Sequence, residues 1–271
     1  MKFPHQAVIL CGGIGKRLRP ITHKVPKPLA PVNGKPFLHF LIDQLKDQGI
    51  KEILLLTGYK SNLIKQFIQD IKYNEVKILI SEGPISWDTG RRIFEAKELI
   101  KESFILLYGD NYAPFSLKNV FKMNIEEKTI ACLTIHKKIK GNISIKNDNR
   151  VDKYDVKRLE DNLKFVEVGY MHVKKTGLLK EINIKESLSF AINKLAQKGM
   201  LSYIKNDCKY YSISDPERLK ITENHLSIKK IIFIDRDGTI NVKPKKMEYI
   251  KSWHEIKLIE KTIQAMKKLA L

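Results

Sequence analysis

Residues 7 to 15, Ala-Val-Ile-Leu-Cys-Gly-Gly-Ile-Gly, constrain the fold more than any other stretch of the chain. Ala7 to Cys11 is a short apolar run, the pattern of a strand buried inside an α/β sheet. It ends in Gly12, Gly13 and Gly15, which permit a sharp turn and bring bare backbone N–H groups close to a ligand. Such a turn after a strand can cradle phosphates. Lys16, Arg17 and Arg19 set three cations beside it, and Lys27, held between Pro26 and Pro28, adds a fourth. Two common phosphate motifs do not fit. No glycine follows where the dinucleotide fingerprint requires one, and Lys16 lacks the Gly-Lys-Ser/Thr context of a P-loop.

The first half of the chain alternates between the two periodicities. Helices are expected at Pro36–Gly49, Leu63–Ile71 and Thr89–Ile100, and strands at Ile53–Thr57, Val76–Ser81 and Phe104–Tyr108. This order predicts an α/β fold with a Rossmann-like, mostly parallel mixed sheet and helices on both faces. Ligands bind beyond the carboxyl ends of such strands, so residues 11–19, 82–90 and 109–112 should share one crevice. The second half is less regular. A helix is expected at Lys118–Glu126 and strands at Thr129–His136, near 143–146 and 150–154, and at Phe165–Val173. Helices at 176–182 and 187–198 precede short strands at Leu201–Ile204 and Tyr210–Ile213. Asp215-Pro216 opens a helix toward His225, with Asp as N-cap and Pro in the first turn. The domain boundary falls near 224–229, which gives domains at 1–224 and 228–271.

The longer pattern G-G-x-G-x-R-L-x-P, followed by P-K-P, resembles the sugar-1-phosphate nucleotidylyltransferases. These join a nucleoside triphosphate to a sugar 1-phosphate. The resemblance implies that Cys11, Gly12, Gly13, Gly15 and Lys16 approach the nucleotide and that Arg17 and Lys27 neutralise phosphates as catalytic residues. In Leu106-Leu-Tyr-Gly-Asp-Asn-Tyr112 an apolar strand delivers Gly109 and Asp110 at its end. A carboxylate there suits Mg²⁺ on a triphosphate. The family's Gly-Asp pair holds that metal, so Asp110 is the implied ligand, with Gly109 near the sugar. Glu82, Thr89 and Gly90 match the family's segment near the nucleoside. The same segment carries Trp87-Asp88 and Arg91-Arg92 where the family has small residues. Trp87 is open to two readings, stacking on a base or packing a loop. Phe165 to Tyr170 resembles the sugar-contacting segment, with Glu167 accepting hydroxyl hydrogens and Gly169 allowing close approach. Lys157 comes one residue late for the family's phosphate-binding lysine, whose place is Val156. Ser212 takes the place of the family's second metal-binding Asp and Ser214 that of a Gly, while Asp215 comes three residues late.

A second resemblance begins at Ile231. An apolar strand, Ile231–Ile234, leads into Asp235-Arg-Asp-Gly-Thr-Ile-Asn241. D-x-D-G-T after such a strand resembles the first motif of haloacid dehalogenase-type phosphatases, where the two acids, here Asp235 and Asp237, flank Mg²⁺. Asn241 and Tyr249-Ile250 look like the branch acting on heptose bisphosphates. The chain ends with a helix at 259–271, before the family's later motifs, so this stretch is expected to be an incomplete and inactive phosphatase domain. Together the two resemblances imply transfer of a nucleotide, from GTP, to D-glycero-D-manno-heptose 1-phosphate, for surface-polysaccharide precursors such as those of lipopolysaccharide. Other readings stay open: mannose 1-phosphate or another NTP as substrate, or a non-catalytic nucleotide-sugar-binding subunit.

The net charge of +20 raises nucleic acid as a partner. Lysines are spread through the chain, and no zinc-finger spacing, RNP-like aromatic motif or dense basic tract appears, which argues against it. Cys11, Cys132 and Cys208 have no C-x-x-C spacing and read as reduced thiols. No apolar run has membrane-spanning length, and the start runs straight into the first strand without a signal peptide. A cytoplasmic enzyme without membrane insertion is therefore expected, and an oligomer is left open.

Overall fold

The computed structural model describes residues 4–71, 73–117, 128–227, 233–245 and 248–269. The chain divides into two compact units, Met1–Leu226 and Ser227–Leu271.

In the first unit the strands are β1 (Gln6–Cys11), β2 (Pro31–Val32), β3 (Lys35–Pro36), β4 (Glu52–Thr57), β5 (Lys77–Glu82), β6 (Ser103–Tyr108), β7 (Asn111–Tyr112), β8 (Ala131–Lys137), β9 (Ile143–Ile145), β10 (Val151–Tyr154), β11 (Phe165–Lys174), β12 (Leu201–Lys205) and β13 (Tyr211–Ser212). The helices are α1 (Ile21–Lys24), α2 (Phe37–Asp47), α3 (Ser61–Asp70), α4 (Thr89–Glu95), α5 (Lys175–Glu181), α6 (Leu188–Gln197) and α7 (Pro216–Leu226). The expected helix at Lys118–Glu126 lies outside the described residues, apart from its surroundings at 117 and 128.

Among the described residues, nine strands form one mixed sheet. Its order runs β10-β9-β11-β6-β1-β4-β5, with β8 joined to β11 and β12. β6, β1, β4 and β5 are parallel neighbours. β11 then runs antiparallel to β6 and β8. All six residues of β1 are buried, because core packs on both faces of the sheet. Helix α2 shows the same logic on one face. Pro36 precedes its first turn, and Phe37, Leu38, Leu41, Ile42 and Leu45 are buried at helical spacing. Each such side chain contributes roughly 1.5–3 kcal/mol of burial free energy.

The register aligns the carboxyl ends of the parallel strands. Cys11 pairs with Thr57, Thr57 with Glu82, and Leu10 with Tyr108. β1 has β4 on one side and β6 on the other, and β4 follows β1 while β6 comes later. The sheet order therefore reverses at β1, which opens a crevice beyond its end.

One expected helix is shorter than its periodicity suggests. α4 ends at Glu95, not at Ile100. Residues 96–100 wind more tightly, with Leu99 N–H donating to Ala96 O and Ile100 N–H to Lys97 O. The Gln6 side chain then donates to Leu99 O and accepts from Lys101 N–H, both at 2.8 Å, and turns the chain into β6. A side chain 93 residues away in sequence thus overrides local helix propensity.

His172 on β11 is buried and shares a 2.7 Å hydrogen bond with Ser103 Oγ. Burial, and then the Lys174 charge, lowers its pKa to about 4. The unfolded chain binds this proton first, so folding stability falls as the pH drops from about 6.5 toward 4. The loss is on the order of 3 kcal/mol over that window. Denaturant unfolding should therefore give a flatter pH profile for His172→Gln than for wild type between pH 6.5 and 4. Parallel profiles would show that His172 does not titrate in this way.

In the second unit, Phe233 and Ile234 carry no strand, and Phe233 is 95 % exposed. Residues 231 and 232 of the expected strand lie outside the described residues. A turn at 236–241 is closed by Gly238 N–H to Asn241 O at 2.7 Å and Ile240 N–H to Arg236 O at 2.8 Å. A 3₁₀ turn at Trp253–Glu255 and helix α8 (Glu260–Leu269) follow. Tyr249, Trp253 and Leu258 are exposed, and Asn241 is buried. So short a stretch has too little apolar surface to build a core of its own.

Candidate active site

The glycine turn, the strand-end acid and the loop after β5 meet in one cleft of about 260 Å³. Cys11, Gly12, Gly13, Gly15, Lys27, Trp87, Thr89, Gly109 and Asp110 all line it. Lys16, Arg17, Glu82, Gly90, Glu167 and Gly169 do not.

Gly15 adopts φ +69°, a left-handed conformation that favours glycine. A Cβ there would also stand 3.0 Å from Lys27 Cβ and Thr22 Cγ2. The turn therefore packs directly on the Lys27 stem. Lys27 begins a 3₁₀ turn, Lys27–Leu29, held by Leu29 N–H donating to Pro26 O. Its ammonium meets Asp110 Oδ2 at 2.5 Å, with the two side chains 14 % and 27 % exposed. Asp110 stands just beyond β6, and its carbonyl accepts from Ile213 N–H at 3.0 Å. The Cys11 thiol is fully buried beside this pair. Burial, and then the Asp110 charge, pushes its pKa up, so it stays protonated and is not a nucleophile.

Arg17 and Lys16 are exposed on a turn anchored by buried Leu18. The Arg17 charge helps hold the Asp215 carboxyl low, after the Arg218 backbone N–H and the Ser214 hydroxyl. Glu82 is exposed and pairs with Lys65 at 2.5 Å. Thr89 Oγ1 accepts from Leu188 N–H at 2.8 Å. A Cβ on Gly90 would stand 2.5 Å from Glu186 O. The Thr-Gly pair thus fastens α4 to the segment leading into α6, which is why a small residue is needed at 90. Trp87 packs its ring over Gly83, leaving no room for a Cβ there, and takes the Arg91 guanidinium at 4.8 Å. It packs the loop and also lines the cleft.

Glu167 lies outside this cleft. Its Oε1 accepts from Tyr108 at 3.1 Å and Tyr154 at 3.0 Å. Burial holds its carboxyl above the usual range, against the two tyrosine hydrogen bonds and the Arg158 charge. Its Oε2 is buried and has no hydrogen-bond partner among the described residues. Gly169 sits at φ +90°, where a Cβ would stand 2.7 Å from Tyr108. It lies in the stretch between Glu167 and Met171 where the register to β8 shifts. Lys157 is exposed and lines a separate cavity of about 490 Å³ with Tyr154 and Phe190.

Ser212 pairs with Asn111, one residue from Asp110. Its hydroxyl is buried and accepts from Ser214 N–H at 3.1 Å. Asp215 accepts from Arg218 N–H, as an N-cap, and pairs with the Arg218 side chain at 3.5 Å. It caps α7, and its carboxyl is engaged by Arg218 and the Ser214 hydroxyl. Among the described residues, no three His, Cys, Asp or Glu side chains cluster as a metal site. Mg²⁺ on a triphosphate needs only one or two carboxylates, with phosphates and water supplying the rest. Asp110 meets that minimum.

The residue that sequence reasoning missed is Arg92. It is 5 % exposed and lines the same cleft. Its only signal in the sequence was a large cation where a small residue is usual.

In the second unit, Asp237 is bound by its neighbour Arg236 through two hydrogen bonds, at 2.8 and 2.9 Å. Asp235 is exposed two residues earlier, just before the turn at 236–241.

Three comparisons place this geometry among known proteins. Residues 6–200 match the model of a family described as Nucleotidyl transferase. The D-glycero-alpha-D-manno-heptose 1-phosphate guanylyltransferase of Campylobacter jejuni is 34 % identical over 174 residues, 64 % of this chain and 72 % of that protein. The enzyme of the same name from Aneurinibacillus thermoaerophilus is 28 % identical over 231 residues, 82 % of this chain and 98 % of that protein. The crystal structure of HddC from Yersinia pseudotuberculosis superposes with a TM-score of 0.68 at 26 % identity, covering 82 % of this chain and 99 % of that one. No helix among the described residues is long and apolar enough to cross a membrane.

Proposed function

This chain belongs to the nucleotidyl transferase family, and from that premise we propose that it joins GTP to D-glycero-α-D-manno-heptose 1-phosphate and releases pyrophosphate. The observation that carries the reading is the single cleft in which the glycine turn, Lys27 and Asp110 come together. The two relatives named for this reaction supply the choice of sugar and base.

An oxygen of the sugar phosphate attacks the α-phosphorus of the triphosphate. The new bond joins the two phosphates, and the bond to pyrophosphate breaks. The attacking oxygen is already ionised, so no strong base is required. Positioning and charge neutralisation supply the catalysis. The backbone around Gly12, Gly13 and Gly15 approaches the nucleotide, and Lys27 and Arg17 offset phosphate charge. Asp110 would hold Mg²⁺, which supplies charge neutralisation on the triphosphate when bound. Glu167 Oε2, buried and without a partner among the described residues, would accept from a sugar hydroxyl only if the surrounding segment opened to admit the sugar.

The test is pyrophosphate release with Mg²⁺, each of four NTPs, and heptose, mannose or glucose 1-phosphate. Release with GTP and the heptose alone is expected. Release with another pair would keep the reaction and replace the substrate. Ser212 favours a second reading, a nucleotide-sugar-binding subunit without turnover. Silence across the panel from folded protein that still binds a nucleotide would establish that reading instead. We further propose that residues 228–271 represent the start of a haloacid dehalogenase-type domain without phosphatase activity. The D-x-D-G-T motif at Asp235 to Thr239 carries the likeness, and the pairing of Asp237 with Arg236 leaves one of its two acids engaged. Phosphate release from heptose 1,7-bisphosphate by the full chain would overturn it.

A further inference from the structure

Arg92 projects from α4 into the floor of the cleft. Its guanidinium donates to Thr57 O at 2.6 Å, Pro84 O at 2.8 Å, Gly83 O at 3.3 Å and Gly12 O at 3.5 Å. Thr57 is the last residue of β4, Gly12 follows β1, and Gly83 and Pro84 follow β5. All four acceptors are neutral, and Asp88 is the one carboxylate whose charge bears on the group. Burial lowers its pKa, yet an arginine side chain stays charged in proteins. Burying a charge costs several kcal/mol unless hydrogen bonds compensate, and here a rigid fork meets four loop carbonyls.

Two glycines make room for it. A Cβ on Gly12 would stand 2.3 Å from Arg92 Nε, and one on Gly58 would stand 2.5 Å from Arg92 Nη2. The carbonyl and N–H of a trans peptide point in opposite directions. With the Gly12 and Pro84 carbonyls drawn toward Arg92, the N–H groups of Gly13 and Ile85 face away from it. Both residues line the cleft, and neither N–H has a hydrogen-bond partner among the described residues.

We propose that Arg92 is a positioning residue for the nucleotide, holding the loops after β1, β4 and β5 so that the Gly13 and Ile85 N–H donors face the cleft. This rests on the nucleotidyl-transfer reading of that cleft. A misplacement of about 1 Å in such a wall can cost on the order of a hundredfold.

Two variants of the full chain separate positioning from charge and from general stability. Arg92→Lys keeps the charge and loses the fork. Gly58→Ala leaves Arg92 in place in the sequence and sets a Cβ 2.5 Å from its Nη2, at a residue that does not itself line the cleft. Binding of a non-hydrolysable GTP analogue with Mg²⁺ is measured by calorimetry, and KM for the sugar 1-phosphate by pyrophosphate release. Each variant should weaken analogue binding tenfold or more, with KM for the sugar phosphate within threefold of wild type. Analogue binding within tenfold of wild type in either variant would overturn the proposal. So would an equal loss for both substrates, which is the mark of a loosened fold. Wild-type protein that neither binds the analogue nor releases pyrophosphate would instead defeat the proposed function.

Discussion

Replacing Lys27 with alanine should slow pyrophosphate release by roughly two to three orders of magnitude, with little change in thermal stability. The ammonium stands 2.5 Å from the Asp110 carboxylate and is 14 % exposed, so its charge acts where water screens it weakly. Pro26 and Pro28 limit the backbone around it, and the packing of its stem against Gly15 fixes where the charge can reach. Steady-state turnover at saturating substrate reads the effect, and a melting curve provides the control. Lys27→Arg should recover only part of the rate, because a planar fork does not replace a compact point charge. A Lys27→Ala rate within threefold of wild type would remove Lys27 from the proposed mechanism.

Asp110→Asn should have an effect of at least similar size, on the order of a thousandfold in rate. Asparagine keeps the shape of the side chain and removes its charge. The Lys27 ammonium then loses its ion-pair partner. Ser212, on the neighbouring strand, offers only a hydroxyl already engaged by Ser214 N–H. No second carboxylate at that place can take over. Measuring the rate against Mg²⁺ concentration distinguishes the roles. A higher Mg²⁺ requirement is expected if Asp110 holds the metal. An unchanged Mg²⁺ dependence would restrict Asp110 to orienting Lys27. The double variant should lose far less than the product of the two single losses, because the two side chains act on one another.

How far the site was legible depends on how local each feature is. The glycine turn, the paired prolines around Lys27 and the Gly-Asp at the end of β6 each lie within a few residues. Their meeting in one crevice followed from strand order, since parallel strands present their carboxyl ends together. The segment from Glu82 to Arg92 was harder to read. Thr89 and Gly90 match a nucleoside-contacting pattern, and in the fold they also hold α4 against residues 186–188, while Thr89 lines the cleft. Glu82 pairs with Lys65 at the surface. These outcomes depend on what α6 and α3 bring up against the loop, and the loop's own residues do not carry that information.

The sequence by itself determined the alternation of strands and helices, the buried central strand and the turn that follows it. Hydrophobic periodicity and the backbone freedom of particular glycines act over a few residues and need no partner to be read. Only the tertiary structure decided that Lys27 reaches Asp110 across 83 positions, that Glu167 shares two tyrosines and keeps one buried oxygen without a partner among the described residues, and that Arg92 lies beneath three loops. It also ended α4 at Glu95, through a side chain from β1. Each of these is a contact between segments distant in the chain. The register of the sheet sets which side chains meet, and burial of charge makes those meetings strong enough to matter.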